Sequence, residues 1–124
     1  MERILLVDDE EAILFAFKKV LSGPSVTVDT AQTLKEAVNL IQLKSYSAVI
    51  ADLRLTGAEA IEGFEVIREA KRVQTDCRVI VVTAYGGNGT QEKVMQLGAD
   101  CYFEKPVSPQ KVKEMLQSKG ISFA

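Results

Sequence analysis

The feature that most restricts the fold of this 124-residue chain is an alternation repeated five times, a short apolar run followed by an amphipathic stretch of helical periodicity. "RILLVD" (3–8) leads into "EEAILFAFKKVL", where Ile13, Leu14, Phe17, Val20 and Leu21 fall on one helical face. "SVTVDTA" (25–31) leads into a helix carrying Leu34, Ala37, Val38 and Ile41, opened by a capping box of Thr33 and Glu36. "AVIAD" (48–52) precedes "GFEVIREAKRV" (63–73), whose inward positions are Phe64, Ile67 and Ala70. "RVIVVTA" (78–84) is followed by "GGNG" and a helix with Val94, Met95 and Leu97, ending at Gly98. "ADCYFEK" (99–105) precedes a last helix with Ser108 as N-cap, Pro109 at its first position, and Val112, Met115 and Leu116 facing inward.

Continuous apolar strands separated by helices demand a parallel sheet covered on both faces. The expected architecture is therefore α/β, a doubly wound sheet in the order 2-1-3-4-5, forming one domain over residues 1–124. With 47% hydrophobic residues the chain has material for a full core.

Several chemistries are excluded. There is no histidine, which removes His-based triads, His-ligated zinc and phosphohistidine formation on this chain. The net charge of −2, from 15 basic and 17 acidic residues, lacks the basic excess that direct nucleic-acid binding uses. The first apolar run, Ile4 to Val7, is too short for a signal-peptide core or a membrane span, so a cytoplasmic protein is expected. Cys77 and Cys101 stand far apart in apolar runs, in no metal-binding or CxxC spacing, and read as reduced core thiols.

In a parallel sheet every strand ends on the same edge, and ligands bind where the strand order reverses. Those ends carry Asp8 and Asp9 after the first strand, Asp52 after the third, Thr83 after the fourth and Lys105 after the fifth. The second strand offers only Asp29 and Thr30, to which no role is assigned. Taken singly, these residues read as caps, turn residues or solvated charges. Placed on one edge, three carboxylates repel by about 4 kcal/mol per pair at ~4 Å and an effective dielectric near ~20, so the cluster calls for a cation. Oxygen-only ligands with room for water favour Mg²⁺, and the set suits phosphoryl transfer with a carboxylate, Asp52, as nucleophile.

The segments "LLVDDE", "VIADLRL", "VVTAYG" and "GADCYFEKP" resemble, in this order and spacing, the signature segments of two-component response regulator receiver domains. The resemblance implies a flavodoxin-like (βα)5 fold and a signalling phosphoacceptor, limited to self-phosphorylation and slow self-dephosphorylation, rather than an enzyme. By it, Asp52 is the phosphoacceptor; Mg²⁺ is held by Asp8, Asp9 and Asp52 with the main-chain carbonyl of Arg54; and Thr83 is the switch hydroxyl. Lys105 contacts the phosphoryl group, Tyr102 is the switch aromatic, and the Lys105–Pro106 peptide is cis. Ala84 leaves the site accessible, while Arg54 and Tyr85 fall where family members tune acyl-phosphate lifetime.

The implied partners are a sensor histidine kinase or a histidine phosphotransfer protein, and a downstream effector that reads the face of the fourth helix, fifth strand and fifth helix. A phosphorylation-dependent homodimer also fits the resemblance. One departure is "LRLTGAEAIEG": Gly63 lies eleven positions after Asp52, a few more than is usual, and Thr56 or Gly57 stands where a proline is common. The expectation is a loop that protrudes or lengthens the next helix.

Three alternatives were weighed. An aspartyl-nucleophile phosphohydrolase needs a second acid two residues after the nucleophile, where this chain has Arg54. A flavin or nucleotide binder needs a Gly, Ser or Thr-rich loop after the first strand, where "DDEEA" stands. A degenerate receiver acting only by binding would lack part of the polar set, and all five positions are present.

Overall fold

The computed structural model describes residues 2–53, 61–74, 76–84, 87 and 89–123. Five strands, β1 (Glu2–Val7), β2 (Val26–Ala31), β3 (Ala48–Ala51), β4 (Arg78–Thr83) and β5 (Cys101–Glu104), form one parallel sheet in the order β2-β1-β3-β4-β5. They alternate with α1 (Glu11–Leu21), α2 (Leu34–Leu43), α3 (Ile61–Val73), α4 (Thr90–Gln96) and α5 (Pro109–Ser118).

The inner strands β1, β3 and β4 carry unbroken apolar runs, at 4–7, 48–51 and 79–82, because both faces are covered. On β1, Ile4 and Leu6 pack with Leu14, Phe17 and Leu21 of α1 and Val112 and Leu116 of α5. Leu5 and Val7 point the other way, into a cluster with Ala37 and Ile41 of α2, Ile67 and Ala70 of α3 and Val94 of α4. Each wholly buried Leu or Ile contributes about 1.5–3 kcal/mol relative to an exposed one. That contribution fixes the register, since a slip of one residue would exchange the two faces.

The caps form as their residue types dictate. Thr33 accepts from the Glu36 N–H at 3.1 Å, while the Glu36 carboxylate reaches back to the Gln32 N–H at 3.0 Å. Ser108 accepts from the Lys111 N–H at 3.1 Å with Pro109 opening α5. Burial pushes the Cys77 thiol up to about 12, so it is an inert core thiol at neutral pH; Cys101 is half-buried, and both are free.

Met95 is 42% exposed, and Val94 is the buried residue of α4. With seven residues α4 makes barely two turns, too few for the helical pattern to fix which apolar side chain faces inward.

Arg54, Thr56, Gly57 and Tyr85, and the expectations attached to them, lie outside the described residues, as does the shape of the loop before α3. The two ends of that loop are described, and they meet: the Gly63 N–H donates to the Leu53 carbonyl at 2.9 Å. A Cβ at Gly63 would lie 2.2 Å from the Leu53 Cα and 2.6 Å from the Asp52 carbonyl oxygen. Glycine is required here by close approach of two backbones. Gly63→Ala should lower stability by about 1–3 kcal/mol, read as a lower urea midpoint at unchanged slope. A midpoint equal to that of the wild type would contradict the close approach.

Candidate functional site

The site begins as a property of the sheet. Asp8, Asp52 and Lys105 each stand one residue past a strand, and each backbone N–H still belongs to the ladder. Asp8 donates to the Ala31 carbonyl at 3.1 Å, Asp52 to Val7 at 2.9 Å and Lys105 to Thr83 at 2.8 Å. The side chains therefore leave the sheet from rigid posts.

They converge on one another. The Lys105 ammonium donates to Asp8 Oδ2 at 2.8 Å and to Asp52 Oδ2 at 3.0 Å, joining residues from β1, β3 and β5 at the edge where strand order reverses. Asp8 and Asp52 are 6% and 4% exposed, and Thr83, the last residue of β4, is fully buried. The Lys105–Pro106 peptide is cis.

Burial is the main influence on Asp8, and with the nearby Asp52 charge it raises the carboxyl above its ordinary range despite the hydrogen bonds from Lys105 and the Glu10 N–H. Burial also works against the Lys105 ammonium, but its bonds to Asp8 and Asp52 outweigh this and hold its pKa above the usual lysine value. One cation shared between two buried carboxylates explains both directions. Lys105 stays charged, and Asp8 is left under-compensated.

A second acidic feature adjoins the first. Asp8, Asp9 and Glu10 each offer a carboxylate oxygen, all within 4.8 Å of one another. Glu10 was not among the residues picked from the sequence; it follows Asp8 and Asp9 directly, and the turn in which its N–H donates to Asp8 Oδ1 at 2.9 Å folds it back toward them. Asp52 lies outside this trio and meets it through Lys105.

Four carboxylates against one ammonium leave an excess of negative charge, and every offered donor is oxygen. Such a set fits a hard divalent cation. Tyr102 is not part of the cluster: it pairs in register with Val81, two residues before Thr83, half-buried against the core on that face of the sheet. Ala84 is exposed beside Thr83.

The family model for the response regulator receiver domain matches residues 4–117. This chain is a receiver domain of the response regulator family. It is 33% identical over 119 residues to the photosynthetic apparatus regulatory protein RegA of Cereibacter sphaeroides, covering 96% of this chain and 63% of RegA. The chain spans less than two thirds of the curated relatives it matches first; for the alginate biosynthesis regulator AlgB of Pseudomonas aeruginosa the share is 24%.

A CheY-like receiver domain from Methanospirillum hungatei superposes with a TM-score of 0.87 at 30% identity, covering 96% of this chain and 93% of that one. A Burkholderia pseudomallei response regulator, solved with a phosphorylated aspartic acid, a calcium ion and citrate, superposes with a TM-score of 0.85 at 25% identity, covering 96% of this chain and 68% of that one. Receiver domains are phosphoacceptor signalling switches of two-component systems and bind Mg²⁺ at their acidic pocket. No helix among the described residues of this receiver is long and apolar enough to cross a membrane.

The raised Asp8 value has a consequence for stability. Below 3.8, the ordinary value, Asp8 is protonated in both folded and unfolded chains; as pH rises the unfolded chain ionises first, so stability falls until the folded carboxyl has also ionised. Asp8→Asn should therefore raise the melting temperature of the metal-free receiver at pH 7. The gain should shrink as pH falls toward 3.8, which thermal unfolding monitored by circular dichroism across that range checks.

Proposed function

We propose that Asp52 is the phosphoacceptor of this receiver, and that Mg²⁺ is held by Asp8, Asp9 and Asp52 together with the main-chain carbonyl of Arg54. The observation that carries this reading is the Lys105 ammonium bonded at once to Asp8 and Asp52 at the strand-reversal edge. The phosphodonor is a sensor histidine kinase or a histidine phosphotransfer protein, encountered in the cytoplasm.

A carboxylate oxygen of Asp52 attacks phosphorus, the bond from phosphorus to the donor imidazole nitrogen breaks, and the electron pair returns to that imidazole. Asp52 is a suitable nucleophile because its backbone is pinned to β1, which holds the attacking oxygen in place without further ordering. Bound Mg²⁺ supplies positive charge to the phosphoryl oxygens. Lys105 already sits 3.0 Å from the Asp52 oxygen and remains paired with the negative charge that the phosphoryl group adds.

Phosphorylation replaces one negative charge with about two and adds acceptor oxygens. The Thr83 hydroxyl turns to one of them, and Tyr102, on the same face of the sheet, changes its packing with it. Moving a two-state switch from ~1% to ~99% takes about 5.5 kcal/mol of differential stabilisation. A few charge-assisted hydrogen bonds of about 1.5–3 kcal/mol each supply that. The output face is α4, β5 and α5, available to an effector or to a second copy of the chain in a phosphorylation-dependent homodimer. Catalysis is confined to self-phosphorylation and slow self-dephosphorylation.

Incubation with acetyl phosphate and Mg²⁺ should add one phosphoryl group by intact mass, and beryllofluoride with Mg²⁺ should give bound fluorine resonances. Both signals should vanish in Asp52→Asn and on removal of Mg²⁺ with EDTA. An adduct that persists in Asp52→Asn would place the acceptor elsewhere.

A further inference from the structure

Helix α4 is the shortest of the five helices described. Its N-cap is Gly89, at φ 81° and with no side chain to cap the first turn, and Val94 is its buried residue. Helices this short are marginal without tertiary contacts, so the few contacts present decide its position.

Two of them come from α3. At the C-terminal end of α4 the contact is built into the core edge: the Lys71 stem runs under Gly98, and its ammonium donates to the Cys77 carbonyl at 2.9 Å and to Asp100 at 3.2 Å. Asp100 in turn accepts from the Val79 N–H at 2.8 Å, so this end is tied to β4. Along the helix itself the contact is an exposed one. The Lys93 ammonium sits 4.4 Å from the centroid of the Phe64 ring.

Phe64 is the residue after Gly63, whose backbone rests on that of Leu53 and Asp52, and its ring is 9% exposed in the core shared with Val94. The ring is thus fixed relative to the Asp52 backbone, while Lys93 is the movable partner.

We propose that Lys93 and Phe64 form a latch that holds α4 down on α3 about the fixed Lys71–Gly98 end, and that releasing it eases the change at the α4, β5 and α5 face. The regulatory half of this inference rests on the phosphoacceptor reading above; the latch itself does not.

The test compares wild type, Lys93→Gln, Lys93→Arg, Phe64→Leu and the Lys93→Gln/Phe64→Leu double variant in the full chain. Amide hydrogen exchange of residues 90–96, without phosphodonor or beryllofluoride, reads the latch. Each single loss should speed exchange about two- to fivefold, the double variant should exchange no faster than the faster single, and Lys93→Arg should match wild type because a guanidinium also binds an aromatic face. Amides of β1 and β3 are the reference for any global loss of stability in Phe64→Leu; the exposed Lys93 carries no such risk. Unchanged exchange in Lys93→Gln, or single effects that multiply in the double variant, overturns the latch.

Beryllofluoride titration with Mg²⁺ reads the regulatory half, and Lys93→Gln should bind about two- to fivefold more tightly than wild type. Faster α4 exchange with unchanged beryllofluoride affinity overturns that half alone. Failure of the wild type to bind beryllofluoride overturns the phosphoacceptor reading and the regulatory half with it, while exchange still decides the latch.

Discussion

The interaction on which the site depends is a single ammonium held between two buried carboxylates from different strands. Three charges taken out of water are costly, and a lone pair would barely offset its own desolvation. The arrangement is tolerable because Lys105 serves Asp8 and Asp52 together and because each of the three is anchored by its own backbone to a neighbouring strand. The ladder thus fixes the three backbone positions from which the side chains meet. The sheet thereby maintains a local excess of negative charge that a cation relieves, which is the physical basis for metal-assisted phosphoryl chemistry on this edge.

The strand order turns this local cluster into a switch. With β1 and β3 adjacent and β4 and β5 on the Asp52 side, the edge carries the acids at one end and Thr83 and Lys105 toward the other. Thr83 and Tyr102 share a face, and that face is the one covered by α3 and α4. Asp52 is thus one strand away from the buried Thr83 hydroxyl on β4 and two from the half-buried Tyr102 ring on β5. The opposite face, under α1 and α5, is a separate core.

Much of this was legible in the sequence because it depends on pattern and order. Apolar runs ending in Asp8, Asp52, Thr83 and Lys105 give the strand ends, parallel topology puts them on one edge, and the structure places each there. What depends on a side chain reaching across the sequence was not legible. The Gln74 amide donates to the Ile41 and Lys44 carbonyls and ties off the end of α2. Asp29 had no assigned role, yet it accepts from the Tyr46 hydroxyl at 2.7 Å and pairs with Arg3 and Lys44. The Lys93–Phe64 contact links two helices, and no periodicity within either one announces it.

The longer stretch after Asp52 shows how such a site tolerates variation. Chain inserted between two fixed points costs only logarithmically in loop entropy, provided both points stay fixed. Here they do: Gly63 is hydrogen-bonded to the Leu53 carbonyl, and the absence of a Cβ lets the α3 backbone lie directly on that of Asp52 and Leu53. The first turn of α3 is therefore tied to the backbone that carries the Asp52 carboxylate. The Asp8, Asp52 and Lys105 geometry is set by the sheet, so it does not depend on how many residues separate Asp52 from Gly63.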